Sequence, residues 1–113
     1  MRLEARKYLF DIERAAGLVA QFTAGREFAD YEQEDMLRSA VERQFEVIGE
    51  ALAQLSKLDS VLASRITGYR RIIAFRNILI HGYAEVDSRL VWDVIETNLV
   101  TLRREVAELT VER

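Results

Sequence analysis

"AFRNILIHGY", residues 74–83, places Arg76, Asn77, His81 and Tyr83 within ten positions, in a stretch rich in isoleucine and leucine. The reading of this segment decides the fold. Apolar residues recur at helical rather than alternating spacing, so it is a helix and not a strand. The pattern predicts a helix over about 69–81 that stops at Gly82, since glycine just past a helix end accepts the left-handed conformation. With Arg76 at zero on a helical wheel, Ile80 and Ile73 fall at roughly +40° and +60°, and Leu79 and Ile72 at roughly −60° and −40°. Arg76 is therefore expected at the centre of an apolar arc, with Asn77 and His81 sharing an adjacent face.

Working outward, the flanking sequence repeats the helical period. Leu9, Ile12, Ala16, Val19 and Phe22 predict a first helix over about 2–23, and "TAGREFADYEQ" breaks the pattern. A second helix is expected over about 31–57, with Asp30 as N-cap and Gln33 completing a capping box. Its buried stripe would be Met36, Leu37, Ala40, Val41, Phe45, Ile48, Leu52 and Leu55. Gly49 in its middle costs about 1 kcal/mol relative to alanine, which close packing of a neighbouring helix would explain. "DSVLASRI" predicts a short helix begun by Asp59 or Ser60. Asp87 or Ser88 would cap a last helix to about residue 111, carrying Val91, Val94 or Ile95, Leu99, Leu102, Val106 and Leu109 inward. No strand pattern, repeat or linker interrupts residues 1–113. The expectation is one all-α domain, an antiparallel four-helix bundle with a short extra helix.

Composition narrows the function. The chain of 113 residues has no proline, no cysteine and one histidine. Disulfides and thiolate metal sites are excluded, and a zinc site would need carboxylates or a second chain. No metal or cofactor is expected. No apolar run approaches the roughly 18 residues that span a bilayer, and the N-terminus lacks a signal-peptide core. A soluble, cytoplasmic protein without a membrane partner follows as the expectation. The net charge is −3, yet no acidic residue lies between Asp59 and Glu85, where Arg65, Arg70, Arg71 and Arg76 stand. That interval carries +4 and leaves the rest at −7, with 12 basic against 19 acidic residues.

A guanidinium in an apolar arc must be paired or must face a cleft or a partner. A structural role is open to each residue: an ion pair from Arg76 to Glu46 or Glu50, C-capping by His81, packing of Tyr83 against the bundle end, and neutralisation of the arginines by neighbouring acidic helices. The functional alternative is RNA cleavage. Attack of a 2′-hydroxyl on the adjacent phosphorus needs a base, an acid for the leaving 5′-oxygen, and a cation for the charge that builds up. Imidazole serves as base or acid near neutral pH. Arginine stabilises the charge and grips phosphate with its fork. One histidine can hardly do both proton transfers, so a symmetric homodimer with the two motif helices facing each other would supply two histidines and two arginines to one cleft.

The spacing Arg76, four residues, His81, one residue, Tyr83 resembles the Arg-x4-His-x-Tyr signature of HepT, the toxin of HEPN/MNT toxin–antitoxin pairs. Asn77 is a polar residue usual there in HEPN domains. "LRSAVERQFEVIGEAL", "RNILIHGY" and "LVWDVIETNL" resemble three helices of that family, so the likeness covers most of the chain. It implies an all-helical HEPN fold, a homodimer with a composite cleft and metal-independent endoribonuclease activity, with Arg76 and His81 catalytic and Asn77 assisting. It also implies a cognate minimal nucleotidyltransferase that transfers AMP to Tyr83, adding negative charge and bulk at the cleft. Arg70 and Arg71 are the candidates for RNA binding. One departure concerns them: many relatives carry a proline-containing segment before the motif helix, where this chain has "SRITGYRRI". Two alternatives stand beside the nuclease: a non-catalytic subunit that holds nucleotide or substrate for a nucleotidyltransferase, and a structural bundle with satisfied polar groups.

Overall fold

A computed structural model describes residues 1–82 and 86–112. It is all-α, with the elements α1 (Leu3–Thr23), α2 (Phe28–Gln33), α3 (Asp35–Leu58), α4 (Ser60–Ala63), α5 (Tyr69–His81) and α6 (Ser88–Thr110). The four long helices form the antiparallel bundle, and α2 and α4 are short connectors. The body measures 42 × 30 × 19 Å. Its thinnest dimension is about two helix diameters, so the bundle is two layers deep. Helix α1 packs on α3 and α6, and α3 packs on α5. Among the described residues no helix is long and apolar enough to cross a membrane.

The inward stripes meet in one core. Leu9, Ile12 and Val19 of α1 lie against Val41, Phe45, Ile48, Leu52 and Leu55 of α3, with Val91, Leu99, Leu102 and Val106 from α6. Phe45 meets Phe75 of α5 edge-on at 5.3 Å between ring centroids, the arrangement that the aromatic quadrupoles favour. Asp59 caps α4, its side chain accepting a hydrogen bond from the Leu62 N–H at 3.0 Å. Asp87 caps α6 by accepting from the Arg89 N–H at 2.9 Å. Gly68 precedes α5 at φ +70°, a left-handed conformation that glycine adopts without strain.

Three expectations are corrected. The chain does not begin its second helix at an Asp30 cap. Glu27 caps α2, Asp30 serves as its N3 partner by accepting from the Glu27 N–H at 2.8 Å, and α3 starts at Asp35 after a break at Glu34. The break has a packing reason. Helix α3 faces α1 and α5, whereas α2 must turn Phe28 and Tyr31 toward Trp92 of α6, at centroid distances of 6.4 and 5.4 Å. One straight helix cannot serve both neighbours. Met36 consequently falls outside the buried stripe and is 87% exposed. Finally, Gly82 ends α5 as expected, but at φ −70° and ψ 116°. The chain leaves in an extended conformation open to other residues, not a left-handed one.

The mid-helix glycine is explained by contact. A Cβ on Gly49 would lie 2.2 Å from the Cβ of Arg76 and 3.5 Å from the Ile72 carbonyl oxygen. Helices α3 and α5 thus cross at Gly49. Gly17 of α1, by contrast, has nothing within 4 Å of such a Cβ. Gly49→Ala should therefore destabilise the protein by about 1–3 kcal/mol through overpacking. Gly17→Ala should be neutral or stabilising by up to about 1 kcal/mol from helix propensity. Chemical denaturation of the two variants checks the contrast, and equal shifts would refute it.

Candidate active site

Helix α5 is held by Ile72, Phe75 and Leu79, its three buried residues. That stripe places Arg76 on the flank of the buried face and not at its centre, which corrects the expectation. Ile73 is half-buried and Ile80 is 45% exposed, so the arc that was expected around Arg76 is inward on one side only. The flanking position results from the α3–α5 crossing. The stem of Arg76 lies over Gly49, and its guanidinium emerges at the edge of the helix pair with 18% of the side chain exposed.

There the guanidinium meets two partners. Its Nη2 pairs with Glu50 of α3, and its Nη1 donates to the Asn77 side-chain oxygen at 2.6 Å. Gln54 donates to the other Glu50 oxygen at 3.1 Å. Glu50 is one of the two acids that the sequence offers for this pairing, and Glu46 instead lies near Arg43 at 3.5 Å. Arginine carries five N–H donors, so a grip by Glu50 and Asn77 leaves three for another anion. His81 is exposed at the last position of α5, and among the described residues its imidazole makes no hydrogen bond and caps no carbonyl. Asn77 and His81, four residues apart, share the outward face. Ile73 and Ile80 flank them on one side, Ala74 and the 50% exposed Ile78 on the other. The polar row thus runs between two apolar margins.

The arginine-rich interval divides. Arg65 is neutralised by Glu112 through hydrogen bonds of 2.8 and 2.5 Å, and Arg76 by Glu50. Arg70 and Arg71 are exposed and have no acidic partner among the described residues, and Arg70 lies against its neighbour Tyr69. Both sit at the start of α5, about 16 Å along the helix from His81. Within one chain the structure brings Arg76 and Asn77 together and leaves Arg70 and Arg71 at the far end. Tyr83 lies outside the described residues.

Sequence spacing within the motif did not point to one titratable group beside the site. Glu42 of α3 is half-buried and lines a cleft with Leu79 and Gly82 of the α5 terminus. Burial, reinforced by Glu46 and opposed by Arg38, raises its pKa above the usual carboxylate value. The only trace of this in the sequence is the four-residue spacing of Glu42, Glu46 and Glu50, which aligns three acids on one side of α3.

Comparison with known proteins bears on these residues. The family model described as ribonuclease HepT-like matches residues 12–109. A protein of Methanocaldococcus jannaschii whose name marks it provisionally as an RNase is 29% identical over 91% of this chain and 94% of its own length. A Thermococcus cleftensis protein, provisionally named ribonuclease HepT, is 30% identical over 96% of this chain and 98% of its own. A Caldanaerobacter subterraneus subsp. tengcongensis protein, again provisionally an RNase, is 30% identical over 92% of each. No solved structure gives a significant match.

The raised Glu42 pKa carries a signed prediction. A carboxyl that binds its proton more tightly when folded penalises the folded state once both states are ionised. The penalty vanishes below the ordinary carboxylate range. Glu42→Gln should therefore raise the melting temperature near neutral pH, with the advantage fading as pH falls through the carboxylate range. Thermal melts across pH check this, and an advantage that grew in acid would contradict it.

Proposed function

Because the chain belongs to the HepT-like ribonuclease family, we propose that it is a metal-independent endoribonuclease whose active site forms between two copies of α5. The observation that carries this reading is the outward face of α5. Exposed His81 and Asn77, with Arg76 at their edge, run between the apolar margins Ile73/Ile80 and Ala74/Ile78. Exposed apolar surface rimming a polar row suits a partner, and a second copy related by a two-fold axis would cover the margins and face one row with the other.

In the proposed reaction the 2′-hydroxyl of the substrate attacks the neighbouring phosphorus and the bond to the 5′-oxygen breaks. One His81 imidazole takes the 2′-hydroxyl proton. The His81 of the second copy protonates the departing oxygen, which leaves a 2′,3′-cyclic phosphate and a free 5′-hydroxyl. Arg76 uses its remaining donors on the phosphorane oxygens, where its fixed charge counts most. Glu50 and Asn77 hold the guanidinium in place, so its orientation is set before substrate arrives. Arg70 and Arg71, at the opposite end of α5, take up the flanking phosphates. In the same reading a minimal nucleotidyltransferase antitoxin transfers AMP from ATP to Tyr83 with loss of pyrophosphate. The added negative charge and bulk then compete with RNA. The Arg76–Glu50 pair favours a second reading, a structural bundle whose motif polar groups are satisfied within the chain and which cuts no RNA.

The two readings separate in one assay. Purified protein should cleave RNA in the presence of a metal chelator, and both His81→Ala and Arg76→Ala should lower the rate roughly 10²- to 10⁴-fold without loss of helical content. Unchanged cleavage by His81→Ala would reject the nuclease site. Sedimentation should give a dimer, which charged substitutions at Ile78 and Ile80 would split. A monomer that still cuts RNA would reject the composite cleft.

A further inference from the structure

A cleft of about 650 Å³ opens beside the α5 terminus, where Gly82 adjoins His81. Phe28, Arg38, Glu42, Ser88 and Arg89 line it. The volume lies within the range of small-molecule sites. A carboxylate on the cleft wall and a hydroxyl buried near it are both without partners among the described residues. The half-buried Glu42 carboxylate has no ion-pair or hydrogen-bond partner among the described residues. The Tyr31 hydroxyl, which Glu42 influences electrostatically, is fully buried and also lacks a hydrogen-bond partner. An unmatched buried hydroxyl such as that of Tyr31 is rare, and the partly exposed Glu42 carboxylate near it is left to face the cleft.

The cations of the cleft, in contrast, each have an acidic partner. Arg38 is held by Asp35 and by the Glu32 carbonyl. Arg89 contacts Asp93 at 3.2 Å and lies over the Phe28 ring at 4.7 Å from its centroid. The lining also holds Glu32 and Asp87, so a phosphate entering the cleft would meet three carboxylates against two guanidiniums that already have acidic partners. A flat neutral heterocycle with N–H donors suits it better. Stacking on aromatic and guanidinium faces, with hydrogen bonds to the base edge, is how single-stranded RNA is read.

We propose that this cleft is a nucleobase pocket in which Glu42 reads the donor edge of the base and the Arg89–Phe28 pair supports its face, with guanine preferred. Guanine alone among the four bases offers two adjacent donors, N1–H and the 2-amino group, to one carboxylate. Adenine and cytosine offer one amino group beside an acceptor nitrogen, and uracil one N–H between two carbonyls. Placement beside His81 would make this the base next to the scissile phosphate. That clause rests on the ribonuclease reading, whereas base binding itself does not.

Trp92 supplies the readout. It is the only tryptophan of the chain and packs at tilted angles against Tyr31 and against Phe28 of the cleft wall, so its indole N–H gives a single nuclear magnetic resonance signal directly behind that wall. The four nucleoside 5′-monophosphates are titrated into the wild type, Glu42→Gln, Arg89→Ala and His81→Ala. In the wild type GMP should move the signal at a concentration about tenfold or more below that of UMP, as expected for a paired base contact. Glu42→Gln should erase that preference, Arg89→Ala should weaken all four nucleotides together, and His81→Ala should keep the preference. Equal response to all four, no response to any, or a GMP preference that survives in Glu42→Gln would overturn the pocket. Cleavage is scored separately on RNA. A protein that cuts RNA without base preference in the titration loses the pocket and keeps the ribonuclease reading. A protein that selects GMP and cuts nothing loses the ribonuclease reading and keeps the pocket.

Discussion

The approach of Arg76 to Gly49 is the constraint on which the rest of the site depends. At that crossing α3 offers no side chain, so the arginine stem lies directly on its backbone. This settles two matters together. It sets the separation of α3 and α5, and it fixes where the guanidinium emerges, within reach of Glu50 and Asn77. A charged group could not sit so close to the core without partners, because desolvation of an unpaired guanidinium costs several kcal/mol. The ion pair is thus a condition of the packing as much as an addition to it.

Charge across the molecule follows from the same arrangement. The arginine-rich interval is not a uniform basic patch. Arg65 and Arg76 are neutralised by acids that lie far away in sequence, Glu112 and Glu50, while Arg70 and Arg71 have no acidic partner among the described residues and stand at one end of α5. Among the described residues the unpaired arginines of this interval therefore stand at the start of α5. Exposed pairs such as Arg65–Glu112 contribute little stability on their own, so their effect is mainly on where positive charge remains available.

Around the end of α5 the protein accepts local costs. Glu42 is ionised less readily than a surface glutamate, and Tyr31 buries a hydroxyl with no partner among the described residues. His81 stays exposed where a capping hydrogen bond was open to it. Violations of ordinary packing and pairing rules in an otherwise consistent structure tend to gather at functional sites. Here they gather within one region, between the α2–α3 break and the α5–α6 connection.

The sequence by itself determined the helical class, the ends of α1, α5 and α6 to within a residue or two, and the succession Arg76, Asn77, His81 along one helix. These are local properties, set by the spacing of apolar residues, by caps such as Asp59 and Asp87, and by the absence of proline. Close packing at Gly49 was also legible, because a glycine in a long helix needs a reason. Only the tertiary structure decided the rest. The Glu27–Asp30 cap and the separate α2 arise because Phe28 and Tyr31 must reach Trp92 on a helix distant in sequence. The choice of Glu50 over Glu46, the placement of Arg76 on a flank of the buried face, and the position of Glu42 beside Gly82 all follow from how α3 crosses α5. Periodicity fixes which residues share a helix face, but the angle and contact point between two helices depend on side chains that meet only once the chain has folded.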